Sequence, residues 1–402
     1  MLNITISSIK RRPFPQAFFY WGMLFLMLFG WLVDAVTSLS ADGILEVYFA
    51  LLGLIAIAQH SRRVQSTTLR VATLIFIYIT AGMFISVALR GANILDFLMA
   101  YKFTWYLLIL SLFYARPVST SNDIYKILRA SLVMFFLVYF GKVALGNPRP
   151  TFFTENNFEL MLLSLLYIAC SISPDKPKTL DTILILLIAA ASGSRSGSAL
   201  IAVAILFSFD FKQAHKTKNL LLLSMGLIGV AAAVYVFSQR SGTASIEDID
   251  RYRFLQSFLI SISDWGVLNY LFGAERISAL PQHVCSSLSY YNTLNSFKGD
   301  GTCYSVILHS FNLRIIYDHG IILTVATLFV LWQLLGRCPI KYKICVLTLL
   351  FLNGLSVSSI NSVYGALGVA CIMFSSSLIT RNSPNTENHN PLLHRPTSTY
   401  QP

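Results

Sequence analysis

The chain has 402 residues, of which 55% are hydrophobic and only 12% are charged, and its mean hydropathy is +0.63. This composition excludes an ordinary soluble globular protein. The net charge of +12 matches basic residues retained on one side of a membrane, and it does not indicate nucleic-acid binding.

Apolar runs long enough to cross a hydrocarbon core of about 30 Å recur along the chain. We predict an all-α polytopic membrane protein with about twelve spans, at 16–35, 43–59, 69–89, 95–114, 127–145, 158–173, 179–192, 197–209, 219–238, 310–335, 344–358 and 361–380. The seventh and eighth runs are short, which favours tilted, re-entrant or broken helices. The first follows the basic sequence IKRR, but no small-residue cleavage site follows it, so we predict an uncleaved anchor.

The basic residues predict the orientation, because Lys and Arg resist translocation. Placing both termini in the cytoplasm keeps most of the 30 Lys and Arg inside. Residues 1–380 then form one transmembrane domain, which includes a long outer loop at 239–308. Residues 381–402, rich in Pro, Ser, Thr and Asn, are expected to be a disordered cytoplasmic tail.

The outer loop contains many aromatic residues, which favours a packed subdomain or amphipathic helices over a flexible linker. It also contains Cys285 and Cys303. The two cysteines can form a disulfide in an oxidising compartment, or they can lie apart and stay reduced, and the sequence leaves both outcomes open.

The unusual polar residues fall on the predicted outer side. The turn GNPRPTFFTENNFEL contains Arg149, Glu155 and Asn157, and the turn ASGSRSGSAL contains Arg195. The outer loop begins with SQRSGTASIEDIDRYRFL and ends at ILHSFNLRIIYDHGII; these add Arg240, Arg251, Arg253, His309 and Arg314. A Gly/Ser turn followed by a helix N-terminus is an anion site even without its arginine.

Each of these features also has a structural interpretation. Arg149 can lie at the headgroup level, the turn around Arg195 can be merely flexible, and His309 can cap a helix at the interface. Arg314 and Asp318 are four residues apart, which predicts a structural ion pair on one helix face. Three outer elements that each present an arginine, with a histidine on the same side, favour a functional site.

A group of outer arginines suits a phosphate ester, because the guanidinium fork matches phosphate oxygens and stays charged. The sequence has no Walker loop and no metal-ligand spacing, so we expect neither a nucleotide nor a metal or other cofactor. Glycosyl transfer from a polyprenyl-diphosphate sugar fits these features, because the leaving diphosphate needs charge stabilisation.

The outer turn RPTFFTENNF, the turn SGSRSG between two short spans, a long outer loop with arginines and the stretch HSFNLRIIYDHGII occur in this order. Together they resemble the O-antigen ligase/polymerase superfamily of bacterial inner-membrane proteins. The resemblance covers roughly residues 140 to 375, and the first four spans match in hydropathy only.

The resemblance implies a GT-C-like glycosyltransferase whose active site faces the periplasm. It implies that Arg195 and His309 are catalytic, with His309 facing the acceptor as general base or orienting group. Arg149, Arg251 and Arg253 would contact diphosphate or glycan, and Glu155, Asn157 and Arg314 would complete the substrate site. The spacing of the loop arginines departs from the pattern of the superfamily.

The turn FTENNFEL looks more like that of polysaccharide polymerases than that of ligases, which transfer glycan to lipid A-core. The implied partners are undecaprenyl-diphosphate-linked oligosaccharide as donor and acceptor, membrane lipids and a candidate chain-length regulator, with no nucleic acid. A transporter of lipid-linked sugars is the weaker alternative, because internal repeats and polar residues at the midplane are missing from the sequence.

Overall fold

A computed structural model describes residues 12–36, 40–59, 66–114, 118–209 and 250–382, with five single positions between 209 and 250. The regular elements within these ranges are all helices. Apart from these five positions, the predicted ninth span lies outside the described residues, as do Arg240 and the predicted disordered tail beyond residue 382.

The helices follow one another in chain order. They are α1 (Phe14–Phe29), α2 (Val33–Val36), α3 (Ala41–Gln59), α4 (Ser66–Met83), α5 (Ile94–Ala100), α6 (Lys102–Phe113), α7 (Ser121–Ala144), α8 (Asn156–Ile172), α9 (Thr179–Ala191), α10 (Arg195–Ser208), α11 (Asp250–Ser261), α12 (Val267–Phe272), α13 (Gln282–Ser287), α14 (Phe311–Leu334), α15 (Ile340–Gly354) and α16 (Val363–Asn382).

Five helical segments in the described ranges are long and apolar enough to cross a membrane, or six if the bent pair α5 and α6 is one span. The helices α8, α9, α10 and Val363–Ser377 are apolar but shorter. The chain is thus consistent with an α-helical membrane protein, and the count of twelve spans stays a prediction.

The fourth predicted span is broken rather than continuous. Helices α5 and α6 meet at an angle of 60°. The Asn361 side chain accepts a hydrogen bond from the backbone N–H of Phe103 (2.7 Å) and donates one to the carbonyl of Met99 (3.2 Å). A side chain from another element therefore satisfies backbone groups next to the break, as a broken helix at membrane depth requires.

Helix α14 contains a second break, at Gly320, where φ is 73°. The break lets the chain after α12 approach closely, and the N–H of Ala274 donates to the carbonyl of Tyr317 (2.7 Å). A Cβ atom at Gly320 would lie 2.4 Å from the carbonyl oxygen of Leu271. Glycine is therefore required here for both its backbone conformation and its lack of a side chain.

Helix α8 is at the centre of the bundle, and almost all of its residues are buried. It packs against α16 and α10, and glycines of those helices allow the close approach: Gly368 faces Leu165 and Gly197 faces Leu160. The helices at the periphery of the bundle, by contrast, expose large apolar side chains such as Phe76 on α4. An apolar outer surface suits contact with lipid.

Contacts between the segments that connect the helices show which of these segments lie at the same end of the bundle. At one end, Asn156 contacts Ser192 and Thr154 contacts Asp42. At the other end, Ser121 contacts Asp175. Segments that the sequence predicted to share a side of the membrane thus lie at the same end of the bundle. We call the first end the outer end.

The described part of the long loop, 250–308, is a packed layer of short helices, as its aromatic residues predicted. Its core contains Phe254, Phe258, Ile262, Leu280, Val284, Leu288, Ile307 and Leu308. Cys285 and Cys303 form a disulfide with their Cα atoms 5.7 Å apart, which decides the question that the sequence left open. The bridge is six residues from His309 and fixes the segment that leads to it.

Candidate functional site

The outer turn before α8 is held in place by Glu159, which is fully buried. Its carboxylate accepts hydrogen bonds from the backbone N–H groups of Phe152 (2.8 Å) and Phe153 (2.6 Å) and from the hydroxyl of Tyr139 (2.5 Å). A buried carboxylate requires such partners. The turn that contains Arg149 and Glu155 is therefore rigidly attached to the bundle.

Asn157, in the first turn of α8, connects this turn to the loop before α10. Its Nδ2 donates to Glu155 Oε1 (2.8 Å). Its Oδ1 accepts hydrogen bonds from the hydroxyls of Ser194 (2.5 Å) and Ser196 (2.8 Å). One buried amide thus brings together the two outer turns that the sequence singled out.

Arg195 is the first residue of α10. Ser194 caps this helix, since its Oγ accepts a hydrogen bond from the N–H of Gly197 (3.0 Å). The guanidinium of Arg195 is therefore carried by a helix N-terminus, where the helix dipole favours an anion. Arg195 is partly buried.

The loop arginines approach the same place. Arg251 Nη2 donates to Ser196 Oγ (3.4 Å). Burial raises the pKa of Glu155, while the hydrogen bond from Asn157 and the nearby charges of Arg149 and Arg251 act in the opposite direction. Arg149 and Arg251 are therefore both close enough to act on this carboxyl group.

Helix α11 connects these arginines to His309. Three residues after Arg251, the ring of Phe254 lies 5.5 Å from the His309 ring, and Tyr291 lies 5.1 Å from it on another element. His309 is partly buried and has φ of 53°, a backbone conformation that is rare outside glycine. The packed loop layer thus holds the imidazole in one position. Arg253, on the same helix, is exposed.

The predicted ion pair between Arg314 and Asp318 is wrong. Both side chains are buried on α14. However, Arg314 Nη1 donates to Ser358 (3.1 Å), and Asp318 accepts from Ser305 (2.5 Å). Hydroxyls from separate connecting segments replace the ion pair, since the four-residue spacing permits a pair but does not require one. These contacts of Arg314 are with the α15–α16 connection and not with the turn at Arg149.

Sequence reasoning missed a second cluster at the outer end. Arg276 Nη1 contacts the hydroxyl of Tyr78, Tyr101 Oη (3.3 Å) and His319 Nδ1 (3.1 Å). The Tyr78 hydroxyl lies 2.6 Å from the same His319 nitrogen. Because a guanidinium only donates, Nδ1 is the acceptor and the imidazole proton is on Nε2. The partners are far apart in sequence, and no motif indicated them.

It also missed Asp42, in the first turn of α3. Asp42 Oδ1 accepts hydrogen bonds from the hydroxyls of Thr154 (2.7 Å) and Tyr364 (2.6 Å). The predicted topology already placed this residue on the outer side, the side on which it also placed the turn at Glu155. The side of the membrane on which Asp42 lies was therefore predictable, whereas its hydrogen-bond partners were not.

No protein-family model matches this chain, and no curated protein matches it either. In the described ranges, no group of three or more His, Cys, Asp or Glu side chains is arranged to hold a metal ion.

Chemically, the outer end combines an anion site with a carboxyl group. Arg195 and the N-terminus of α10 supply positive potential, and Arg149 and Arg251 add charge beside Glu155. Guanidinium groups and backbone N–H groups are the donors that proteins use for phosphate oxygens. The arrangement can stabilise a phosphate or diphosphate and hold polar groups of a sugar nearby.

Proposed function

We propose that this protein is a polysaccharide polymerase of the O-antigen or exopolysaccharide type. It transfers a growing glycan from undecaprenyl diphosphate onto a new lipid-linked repeat unit, at the periplasmic face of the bacterial inner membrane. The proposal rests on the resemblance given above and on the polar outer end of an otherwise apolar bundle.

One observation carries the proposal. Asn157 is hydrogen-bonded to Glu155 in the turn before α8 and to the hydroxyl of Ser196 at the N-terminus of α10. Arg251 of the outer loop contacts the same Ser196 hydroxyl. Three segments that are distant in sequence supply the polar groups of a single site. In transfer from a lipid diphosphate, negative charge develops on the leaving diphosphate. Positive groups fixed in advance stabilise this charge most effectively.

In this proposal Arg195, Arg149 and Arg251 neutralise the diphosphate, while Glu155 and Arg253 contact the glycan. Asn157, predicted to bind substrate, acts on the site by holding Glu155 and the N-terminus of α10 together. His309, which packs against Phe254 of α11, faces the acceptor. Arg314 attaches the start of α14, which follows His309, to the α15–α16 connection. The reaction needs no nucleotide, since the energy is supplied by cleavage of the bond between the donor sugar and its diphosphate.

The test is reconstitution of the purified protein in lipid nanodiscs with synthetic undecaprenyl-diphosphate oligosaccharide. We expect a ladder of products on a gel, without added nucleotide. A parallel reaction offers lipid A-core as the acceptor. Glycan transferred only to lipid A-core would make the protein a ligase. Transport of the oligosaccharide across a sealed bilayer without elongation would make it a transporter.

A further inference from the structure

Asp42, at the outer end, is held through one oxygen of its carboxylate. Both of its hydrogen bonds come from neutral hydroxyls, those of Thr154 and Tyr364, and both are accepted by Oδ1. Within the described part of the chain, no group donates to Oδ2. One carboxylate oxygen is therefore fixed by two partners, and the other is left for a ligand.

Neighbouring carboxylates are occupied in other ways. Glu46, one turn along α3, forms an ion pair with Lys102 (2.6 Å). Asp96 accepts from Ser296 and from a backbone N–H, one with each oxygen. Glu159 is fully buried and accepts three hydrogen bonds. These groups have structural partners for their charge, whereas Asp42 combines rigid support with an open oxygen.

The support of Asp42 is rigid because Tyr364 is fully buried on α16. The Tyr364 ring stacks on Phe158 of α8, with centroids 5.8 Å apart. A base that is oriented by a third group through a hydrogen bond is the usual arrangement for proton transfer in enzymes. Asp42 has two such orienting groups.

Asp42 also belongs to the same connected network as the anion site. Its partner Thr154 is adjacent to Glu155 in the chain, and Glu155 is hydrogen-bonded to Asn157 (2.8 Å). Burial and, after it, the charge of Asp42 raise the pKa of Glu155, so the two carboxyl groups are close. A proton acceptor beside a diphosphate site is what attack by a hydroxyl on a lipid-diphosphate sugar needs.

We propose that Asp42 is the catalytic base, which removes the proton from the acceptor hydroxyl; this inference rests on the proposed function. The acceptor oxygen forms a bond to the anomeric carbon of the donor sugar, and the bond from that carbon to the diphosphate oxygen breaks. The diphosphate leaves with the bonding electron pair, and the acceptor proton passes to Oδ2 of Asp42.

A carboxylate suits this step, because a carboxylate base activates the attacking water in glycoside hydrolysis. His309 then acts as an orienting group for the acceptor and not as the base. This division of roles agrees with the packing of His309, whose ring lies against the rings of both Phe254 and Tyr291.

The first test compares Asp42→Asn with wild-type protein in the nanodisc assay. The amide oxygen still accepts from Thr154 and Tyr364, so the shape of the site is retained while the base is lost. We expect turnover to fall by about 100- to 10,000-fold, the usual contribution of a general base, with unchanged binding of the synthetic donor. Glu46→Gln on the same helix is the matched control and should keep turnover within a few-fold of wild type.

The second test uses Asp42→Ala with added formate, a small carboxylate that can occupy the space of the lost side chain. Partial recovery of turnover with formate is expected in this variant and in neither wild type nor Glu46→Gln. A purely structural role of Asp42 would not respond to formate. This measurement also decides the matter if Asp42→Asn does not fold.

The outcomes separate the two proposals. Wild-type protein that elongates no lipid-linked oligosaccharide overturns the proposed function itself. Active wild type together with a fully active Asp42→Asn, or loss of turnover that formate never restores in Asp42→Ala, overturns the role of Asp42 alone.

Discussion

Ser194 Oγ lies 2.5 Å from Asn157 Oδ1, and through this contact the cap of α10 is fixed to the first turn of α8. The same Ser194 oxygen accepts from the N–H of Gly197, so one hydroxyl completes a helix end and a tertiary contact together. The position of Arg195 is therefore determined by the buried amide of Asn157 and not by the Gly/Ser turn alone.

The first prediction concerns Asn157, which is 6% exposed. Asn157→Ala leaves two serine hydroxyls without their acceptor, and we expect the free energy of unfolding to fall by about 1–3 kcal/mol. The measurement is thermal unfolding of the purified protein in detergent. Asn122→Ala, an exposed position on α7, is the control and should change little. Equal unfolding temperatures for the two variants would contradict the role of Asn157 as the connection.

The second prediction concerns Glu155 and pH. Burial raises the pKa of Glu155, so the folded protein binds this proton more tightly than the unfolded chain does. The free energy of unfolding should therefore decrease as pH rises from the ordinary glutamate value through the raised one. Glu155→Gln should remove this decrease, so that the variant is the more stable protein near neutral pH.

The check is the unfolding temperature of both proteins at a series of pH values from roughly 4 to 8, which brackets the ordinary glutamate pKa. Asp264→Asn, at an exposed loop position, serves as the control. A stability difference between wild type and Glu155→Gln that grows in favour of wild type as pH rises would show the opposite sign and refute the assignment.

The third prediction concerns Arg195. If it neutralises the leaving diphosphate, Arg195→Ala should reduce turnover by about 10- to 150-fold, which corresponds to roughly 1.5–3 kcal/mol of a charge-assisted contact. Arg195→Lys should restore only part of it, because an ammonium lacks the guanidinium fork. Arg70→Ala, an exposed arginine on α4, should leave turnover unchanged. Wild-type turnover in a folded Arg195→Ala protein would refute the contact.

The fourth prediction concerns the disulfide between Cys285 and Cys303, which are 18 residues apart in sequence. Closing a segment of this length is worth about 3 kcal/mol by chain entropy, so replacing both cysteines with serine should lower the stability of the loop layer. Because the layer holds His309, turnover should fall more at low acceptor concentration than at saturation. An unchanged dependence on acceptor concentration would mean that the bridge does not position His309.

Periodicity and hydropathy predicted most of the helices, because lipid imposes long apolar segments on any chain that crosses it. The same signals did not predict the breaks at Tyr101 and Gly320. The break after α5 depends on Asn361, more than 250 residues away. The break in α14 depends on close contact with the chain at Gly273. Long-range partners of this kind leave no local pattern.

In the candidate site, too, residues with a local sequence signal were predicted, and residues that depend on long-range partners were not. Arg195 and Asn157 were identified from their turns, because Gly, Ser and Asn residues between two apolar runs are themselves a local signal of a turn. Asp42 was not identified, because one acidic residue at the start of a span is common. Its meaning comes only from Thr154 and Tyr364, which the fold brings to it. The Arg314–Asp318 pair failed for the related reason that Ser358 and Ser305 compete for the same charges.

The last prediction tests the orientation in the membrane. The outer end should face the periplasm and the opposite end the cytoplasm. Asn147 lies exposed in the outer turn, and Lys176 lies exposed in the connection between α8 and α9 at the opposite end. Each is changed to cysteine in turn and treated with a membrane-impermeant thiol reagent in intact spheroplasts. The background should be low, because Cys170, Cys338, Cys345 and Cys371 are buried and the other two cysteines are bridged.

Asn147→Cys should be labelled in intact spheroplasts, whereas Lys176→Cys should be labelled only after the membrane is made permeable. This result is expected because the positive-inside rule keeps the basic connections in the cytoplasm, and the contact of Asn156 with Ser192 ties the α9–α10 connection to the same end as the turn at Asn147. Labelling of Lys176→Cys in intact spheroplasts, with protection of Asn147→Cys, would reverse the orientation. Arg195, Asp42 and His309 would then face the cytoplasm, where a polymerase of periplasmic glycans has no substrate.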